Sequence, residues 1–300
     1  MNQSHAISGY TKIAGFVANP AKHSLSPLMH NAAFELLDID ARYFAFELAP
    51  DGLARCIQSV RDFDMLGINL SMPFKSEVIQ YMDEVSDTVK LIGAMNTVVN
   101  HNGYLIGHNT DGKGFMRSLA DIEVEVVDQT FTMLGCGGAA IAIAAQAALD
   151  GVKRLYVINR PGKSYEAFAE RAAIISNQTG CEIQMGLDSD SSFLATAIRA
   201  SNLIINAGSI GMKPFDQVSP LADPSLLRPE MAVVDIIYNP FETVLMKQAQ
   251  AVGCKTANGL GMLLYQGAYA FELWTGQEMP TEQIKPLVIA KEKEKMGVVR

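Results

Sequence analysis

Phe131-Thr-Met-Leu-Gly-Cys-Gly-Gly-Ala-Ala-Ile-Ala-Ile-Ala-Ala-Gln-Ala-Ala-Leu149 is long and uncharged. A run of this length could cross a membrane, but three glycines cluster near its start and Gln146 interrupts it. A buried strand, a tight turn and a helix account for the pattern better. The turn is Gly135-Cys-Gly-Gly-Ala-Ala140. Placed between a strand and a helix, Gly135 permits the sharp turn and Gly137 lets a pyrophosphate approach the backbone. Ala140 keeps the helix close to the sheet. The amides at the helix start, from Gly138 and Ala139, then face an anion.

An alternating series continues outward from this turn. It runs through a strand at Leu155–Asn159, a helix at Tyr165–Ile175 and strands at Leu203–Asn206 and Ala232–Ile237. That is the order of a doubly wound, Rossmann-like nucleotide-binding sheet. About 20 residues beyond the glycines, an acid would hold a ribose 2′-hydroxyl and an arginine a 2′-phosphate. The chain has Asn159-Arg-Pro-Gly-Lys163 there, with no carboxylate before Glu166. Arg160 and Lys163 can neutralise a phosphate, which leans the cofactor towards NADP; if both are merely solvated surface charges, NAD serves equally.

The first hundred residues repeat the rhythm. Ile13–Val17, Tyr43–Phe46 and Leu66–Leu70 read as strands, and Pro27–Leu37, Leu53–Phe63 and Lys75–Met82 as helices, which predicts βαβ units on a parallel sheet. Ser26 before Pro27 reads as an N-cap followed by the first helical residue. Thr97–Asn100 and Tyr104–Ile106 read as a hairpin turned by Asn102-Gly103. Gly259–Trp274 is a helix pattern that follows the second series and is expected to return to the first domain. The expected architecture is α/β with two domains. Residues 1–113 with 259–300 form the first, residues 114–258 the dinucleotide-binding one, and a cleft lies between them.

The 300-residue chain is acidic, with net charge −8 and 24 Lys and Arg dispersed along it, so nucleic acid is not an expected partner. The four cysteines are far apart, without Cys-x-x-Cys spacing, which disfavours zinc and disulfides and fits a cytoplasmic location. Met1–Tyr10 lacks the pattern of a signal peptide. His23 and His30, seven residues apart, do not make a helical metal pair, and no metal is expected.

Two stretches carry chemistry. Asn69-Leu-Ser-Met-Pro-Phe-Lys75 and Gly107-His-Asn-Thr-Asp-Gly112 each set one ionisable group among small hydrogen-bonding neighbours. Hydride transfer to a ketone leaves charge on oxygen, so the site needs a proton donor with a pKa near working pH. A partly desolvated lysine can be tuned downward, while a nearby carboxylate opposes that shift and holds the ammonium in place. Lys75 and Asp111 are the candidates; a surface charge and a helix cap are their plainer readings.

The ordered motifs over nearly the whole chain resemble the shikimate dehydrogenase family. His23-Ser-Leu-Ser-Pro-Leu-Met-His-Asn31 is similar to its His-Ser-x-Ser-Pro substrate loop, which implies that Ser24 and Ser26 hold the substrate carboxylate. The Asn69–Lys75 stretch is similar to the family's Asn-Val-Thr-x-Pro-x-Lys, implying that Lys75 is catalytic. Gly93-Ala-Met-Asn-Thr97 and Asn109-Thr-Asp111 match the next motifs, implying that Asn96 bonds a ring hydroxyl and that Asp111 pairs with Lys75 across it. By the same resemblance Tyr238, in Tyr-Asn-Pro-Phe-Glu-Thr243, and Gln266, in Gly261-Met-Leu-Leu-Tyr-Gln-Gly-Ala268, complete the pocket, and Ile236 and Gly259 join the cofactor site.

Ser71, Tyr43 and Thr110 look more like the quinate/shikimate branch, where they line the substrate pocket; that branch accepts either substrate and often either cofactor. Its aspartate after Asn-Arg is replaced here by Pro161 and Gly162. The resemblance implies reversible oxidation of shikimate, or of quinate, with NADP or NAD, in aromatic amino-acid biosynthesis by way of chorismate. A small-molecule substrate and no membrane partner follow, and a homodimer is compatible with it. The rival readings are a dehydrogenase of a related cyclic hydroxy or amino acid, and a non-catalytic sensor of nucleotide and shikimate.

Overall fold

The structure is a computed structural model describing residues 6–295; part of the stretch read above for a signal peptide lies outside them. Two compact units divide the chain. One runs to Thr110 and includes Leu264–Lys291; the other comprises Asp111–Leu263 and the residues from Glu292 onward.

The first unit begins with β1 (Lys12–Ala18), α1 (Ser26–Leu36), β2 (Ala41–Glu47), α2 (Leu53–Asp62) and β3 (Gly67–Leu70). There follow β4 (Glu84–Val85), α3 (Asp87–Ile92), β5 (Thr97–His101) and β6 (Tyr104–His108). The strands form one sheet in the order β2-β1-β3-β5-β6-β4. Val17, Ile57, Ile68, Leu70, Phe74, Val98 and Leu105 fill its core.

The sheet is mixed rather than parallel. β1 runs parallel to β2 and β3, but β5 is antiparallel to β3 and to β6. Between β5 and β6 the reversal is local chemistry: Asn102 (φ 54°) and Gly103 (φ 92°) both take the positive φ that a tight two-residue hairpin demands. Ser26 is the first residue of α1 and not its cap; Leu25 holds the N-cap position without a side-chain bond. Residues 75–82 do not make an α-helix. After the turn at Lys75 the chain tightens into a 3₁₀ helix, Glu77–Tyr81, because β4 pulls it to the sheet edge immediately afterwards.

The second unit comprises α4 (Asp111–Ala120), β7 (Thr130–Leu134), α5 (Gly138–Leu149), β8 (Arg154–Asn159), α6 (Lys163–Thr179), β9 (Glu182–Leu187) and α7 (Ser191–Ala200). It continues with β10 (Leu203–Asn206), β11 (Ala232–Asp235), α8 (Val244–Val252) and β12 (Lys255–Ala257). α9 (Leu260–Thr275) and α10 (Thr281–Lys295) end the described chain. Its sheet is parallel throughout, in the order β12-β11-β10-β7-β8-β9. Connections leave β7 to one side and reach β10 on the other, so the switch point where such sheets bind ligands falls between β7 and β10. Among the described residues no helix is long and apolar enough to cross a membrane.

Candidate active site

The first unit gathers polar side chains from five segments around Asn96. This residue is buried, and its Nδ2 donates to Thr110 Oγ1 (2.9 Å) and Gln266 Oε1 (3.3 Å). Its Oδ1 accepts from Thr97 Oγ1 (2.9 Å), Thr110 N (2.9 Å) and Thr110 Oγ1 (3.2 Å). Asn69 Nδ2 donates to Thr97 Oγ1 (3.0 Å), and Asn69 Oδ1 accepts from the Tyr43 hydroxyl (2.8 Å). A side-chain hydrogen bond also joins Tyr43 to Ser26, and burial pushes the phenol pKa upward. Ser26 N in turn donates to Ser24 Oγ (3.2 Å). Ser24, Ser26, Tyr43, Asn96, Thr110 and Gln266 are thus brought into one continuous network, with Asn69 and Thr97 as its connecting members.

Lys75 sits in the turn that leaves β3. Its carbonyl accepts from Met95 N (2.8 Å), next to Asn96, and Phe74 N donates to Ser71 O (2.9 Å), so the turn is pinned by its backbone. Ser71 N donates to Val17 O (3.0 Å) at the carboxyl end of β1. Asn31 fixes the Tyr43 backbone from both sides: its Nδ2 donates to Tyr43 O (2.9 Å) and its Oδ1 accepts from Tyr43 N (2.9 Å). Asp111 follows Thr110 directly and opens α4.

A buried imidazole lies beneath Tyr43. His30 stacks on its ring at 4.3 Å with an interplanar angle of 13°, and burial pushes its pKa from 6.5 down to about 3. The folded state therefore resists a proton that the unfolded chain accepts. Stability is full above pH ~6.5 and falls as pH drops from there towards 3, by up to about 1.4 kcal/mol per pH unit. His30→Phe is expected to flatten that slope by about one proton in urea unfolding measured between pH 4 and 6.5; an unaltered slope would show that His30 is not the linked group.

The second unit presents the glycine turn at the switch point. Gly135 has φ 106°, and a Cβ there would lie 2.6 Å from Gly208 N. Gly137 is extended before α5, and a Cβ on Gly137 or Gly138 would meet nothing within 4 Å, so the side facing the helix start is open backbone. Asn159 ends β8, bonds the Cys136 thiol and donates from Nδ2 to Arg160 O (3.0 Å). Arg160 and Lys163 flank the α6 start. Open amides at a helix N-terminus with cations one strand over suit the pyrophosphate and a 2′-phosphate of a dinucleotide.

The loops after β10 and β11 are fixed by Asp235, which the sequence reading did not single out. Its buried carboxylate accepts from Asn206 Nδ2 (3.0 Å to each oxygen), Ile237 N (3.0 Å) and Thr243 Oγ1 (2.8 Å). Burial raises its pKa despite these donors. A carboxylate ending an otherwise apolar strand was the available signal. Tyr238 lies on the loop after β11 with Ile236, whose N donates to Asn206 O (3.0 Å). Burial first, and the Glu292 carboxylate second, raise the Tyr238 pKa. Gly259 passes so close to the Ile236 carbonyl that no side chain fits between them.

The chain is similar to known proteins in sequence and in fold. Residues 16–98 match the shikimate dehydrogenase substrate binding domain, and residues 259–289 match the shikimate 5′-dehydrogenase C-terminal domain. A shikimate dehydrogenase (NADP(+)) of Streptococcus sanguinis is 48% identical over 279 residues, covering 93% of this chain and 96% of the relative. The crystal structure of shikimate 5-dehydrogenase from Listeria monocytogenes, in complex with shikimate and NAD, superposes with a TM-score of 0.92 at 43% identity. It covers 95% of this chain and 99% of that one. Quinate dehydrogenase from Corynebacterium glutamicum in complex with NAD gives a TM-score of 0.84 at 28% identity, covering 93% and 99%. By sequence and by fold, along nearly its full length, the chain belongs to the shikimate dehydrogenase family.

Proposed function

We propose that the protein is an NAD(P)-dependent oxidoreductase that interconverts 3-dehydroshikimate and shikimate, in the biosynthetic route through chorismate to the aromatic amino acids. The observation that carries this is the continuous network of side-chain donors and acceptors, from Ser24 to Gln266, on the same unit as the Lys75 turn. It matches a small polyhydroxylated acid: hydroxyls for a carboxylate at Ser24 and Ser26, amides for ring hydroxyls at Asn96 and Gln266. The first unit is the substrate domain and the second the dinucleotide domain.

A bound nicotinamide cofactor would supply the hydride acceptor for oxidation of the alcohol carbon and the hydride donor for the reverse reduction. Lys75 takes the proton from that hydroxyl in oxidation and returns it to the developing alkoxide in reduction. Asp111 holds the ammonium and the alcohol oxygen together, and Tyr43, Ser71 and Thr110 orient the ring. Gly135, Gly137, Gly138 and Ala139 would hold the pyrophosphate, and Asn159, Arg160 and Lys163 would hold the adenosine ribose or its phosphate. Tyr238 completes the substrate pocket, and Ile236 and Gly259 would bound the nicotinamide end of the cofactor. Quinate is a second substrate in this reading, favoured by the fold similarity to a quinate dehydrogenase. A homodimer and a cytoplasmic location complete it; the four free thiols suit the latter.

The test is absorbance of reduced nicotinamide with shikimate and quinate each offered NADP and NAD. Turnover of shikimate is expected with at least one cofactor, and its absence with both overturns the assignment. Arg160→Ala is expected to weaken NADP about tenfold or more and NAD little, since a charged hydrogen bond is worth about 1.5–3 kcal/mol. Equal weakening of the two places the 2′-phosphate elsewhere.

A further inference from the structure

We infer that His30 is a positioning residue for the acid-binding site. Its imidazole, held between Tyr43 and the Gly267 turn of α9, keeps the Tyr43 phenol on Asn69 and sets α9 at the distance where Gln266 reaches Asn96. The inference rests on the shikimate reading of that network.

His30 is fully buried, and among the described residues neither ring nitrogen has a hydrogen-bond partner. Leaving a buried polar group unbonded is unfavourable, so the ring nitrogens do not explain why a histidine stands here. Burial holds the imidazole uncharged at neutral pH, so it acts here as neither ion nor proton carrier. What it supplies is a thin, flat, five-membered ring. Tyr43 lies against it at 4.3 Å, Trp274 at 5.3 Å and Phe271 at 6.2 Å. Trp274 is itself fixed, its indole N–H donating to Val98 O at 2.9 Å on β5.

Gly267 shows how little room is left. A Cβ there would run into Met29 Cε and come within 3.4 Å of His30 Nε2. Met29 and His30 of α1 therefore rest against bare backbone of α9, one residue from Gln266. Two routes join His30 to the substrate groups: through Tyr43 to Asn69 and Ser26, and through α9 to Gln266 and Asn96. A six-membered ring at position 30 must push on one of them.

His30→Phe, His30→Ala and Gly267→Ala test this, with the only tryptophan of the chain, Trp274, as a fluorescence reporter of shikimate binding. His30→Phe is expected to remain folded at the assay temperature yet increase KM for shikimate about tenfold or more, with kcat within about threefold and cofactor affinity unchanged. A merely structural residue would instead move KM only as stability is lost. Gly267→Ala is expected to raise the same KM by pressing Met29 and His30 from the other side, and it stands in for His30→Ala should that variant not fold. Unchanged KM in His30→Phe and Gly267→Ala, with an active wild type, overturns the role of His30 alone. A wild type that neither binds nor oxidises shikimate overturns the functional reading and this inference together.

Discussion

Lys75→Ala is expected to lower kcat by about 10² to 10⁴ while shikimate still binds with nearly wild-type affinity. Such a loss is about 3–5 kcal/mol of transition-state stabilisation, the scale of one well-placed general acid/base. The alkoxide that forms when a ketone accepts hydride needs a proton within hydrogen-bond reach, and unaided water is a poor donor at neutral pH. Binding should survive because the groups assigned to the ground state lie elsewhere in the network, at Ser24, Ser26, Asn96 and Gln266. The loop should survive because its backbone is tied independently of the side chain, through Met95 N to Lys75 O and Phe74 N to Ser71 O. Steady-state kinetics set beside shikimate titration of Trp274 fluorescence separates the two effects. Near-normal turnover removes Lys75 from the mechanism; lost binding with normal kcat makes it a substrate ligand instead.

The fold was legible where one local rule decides a segment. The glycine turn demands a strand before it and a helix after it, and β7 and α5 flank it as expected. The Asn102-Gly103 turn demands a hairpin, and β5 pairs with β6. What escaped was decided by tertiary context. β4 is two residues long and carries no periodicity of its own. The edge strand β9, Glu-Ile-Gln-Met-Gly-Leu, is half polar because only one side of it is covered. Ser26 looks like a cap in sequence, but its hydroxyl is engaged with Tyr43 instead.

The polar network has a longer reach than any sequence window. Asn96 and Gln266 are 170 positions apart, and Tyr43 and Asn69 are 26 apart. Their residue types could be picked out through family resemblance, whereas the joining role of Asn69 and Thr97, which stand in the same motifs, shows only once β3 and β5 pair. His30 is the sharper case. Seven residues from His23 it makes no helical metal pair, and only the stack with Tyr43 and the bare backbone at Gly267 give it a place as a spacer.

Gly135→Ala is expected to reduce cofactor affinity by more than about 100-fold and to lower the melting temperature, with shikimate binding to the first unit unchanged. Two costs add. A side chain at φ 106° is strained by about 1–3 kcal/mol, and the new Cβ would lie 2.6 Å from Gly208 N and 2.7 Å from Gly208 Cα. Neither backbone can yield freely: Gly135 N donates to Ile158 O (2.8 Å), Ala207 N donates to Leu134 O (2.8 Å), and Gly208 N donates to Asn206 Oδ1 (3.1 Å). The β7–α5 turn must therefore move, taking the amides of Gly138 and Ala139 with it. Gly137→Ala provides the contrast, because its φ of −79° suits any residue and its Cβ meets nothing within 4 Å. That variant should melt like the wild type and still bind NADP and NAD more weakly, since the methyl group would stand where the pyrophosphate approaches. Isothermal titration of each cofactor beside thermal melts reads both variants. Undiminished cofactor binding in both would mean that the dinucleotide does not lie on this turn, whatever the strand order suggests.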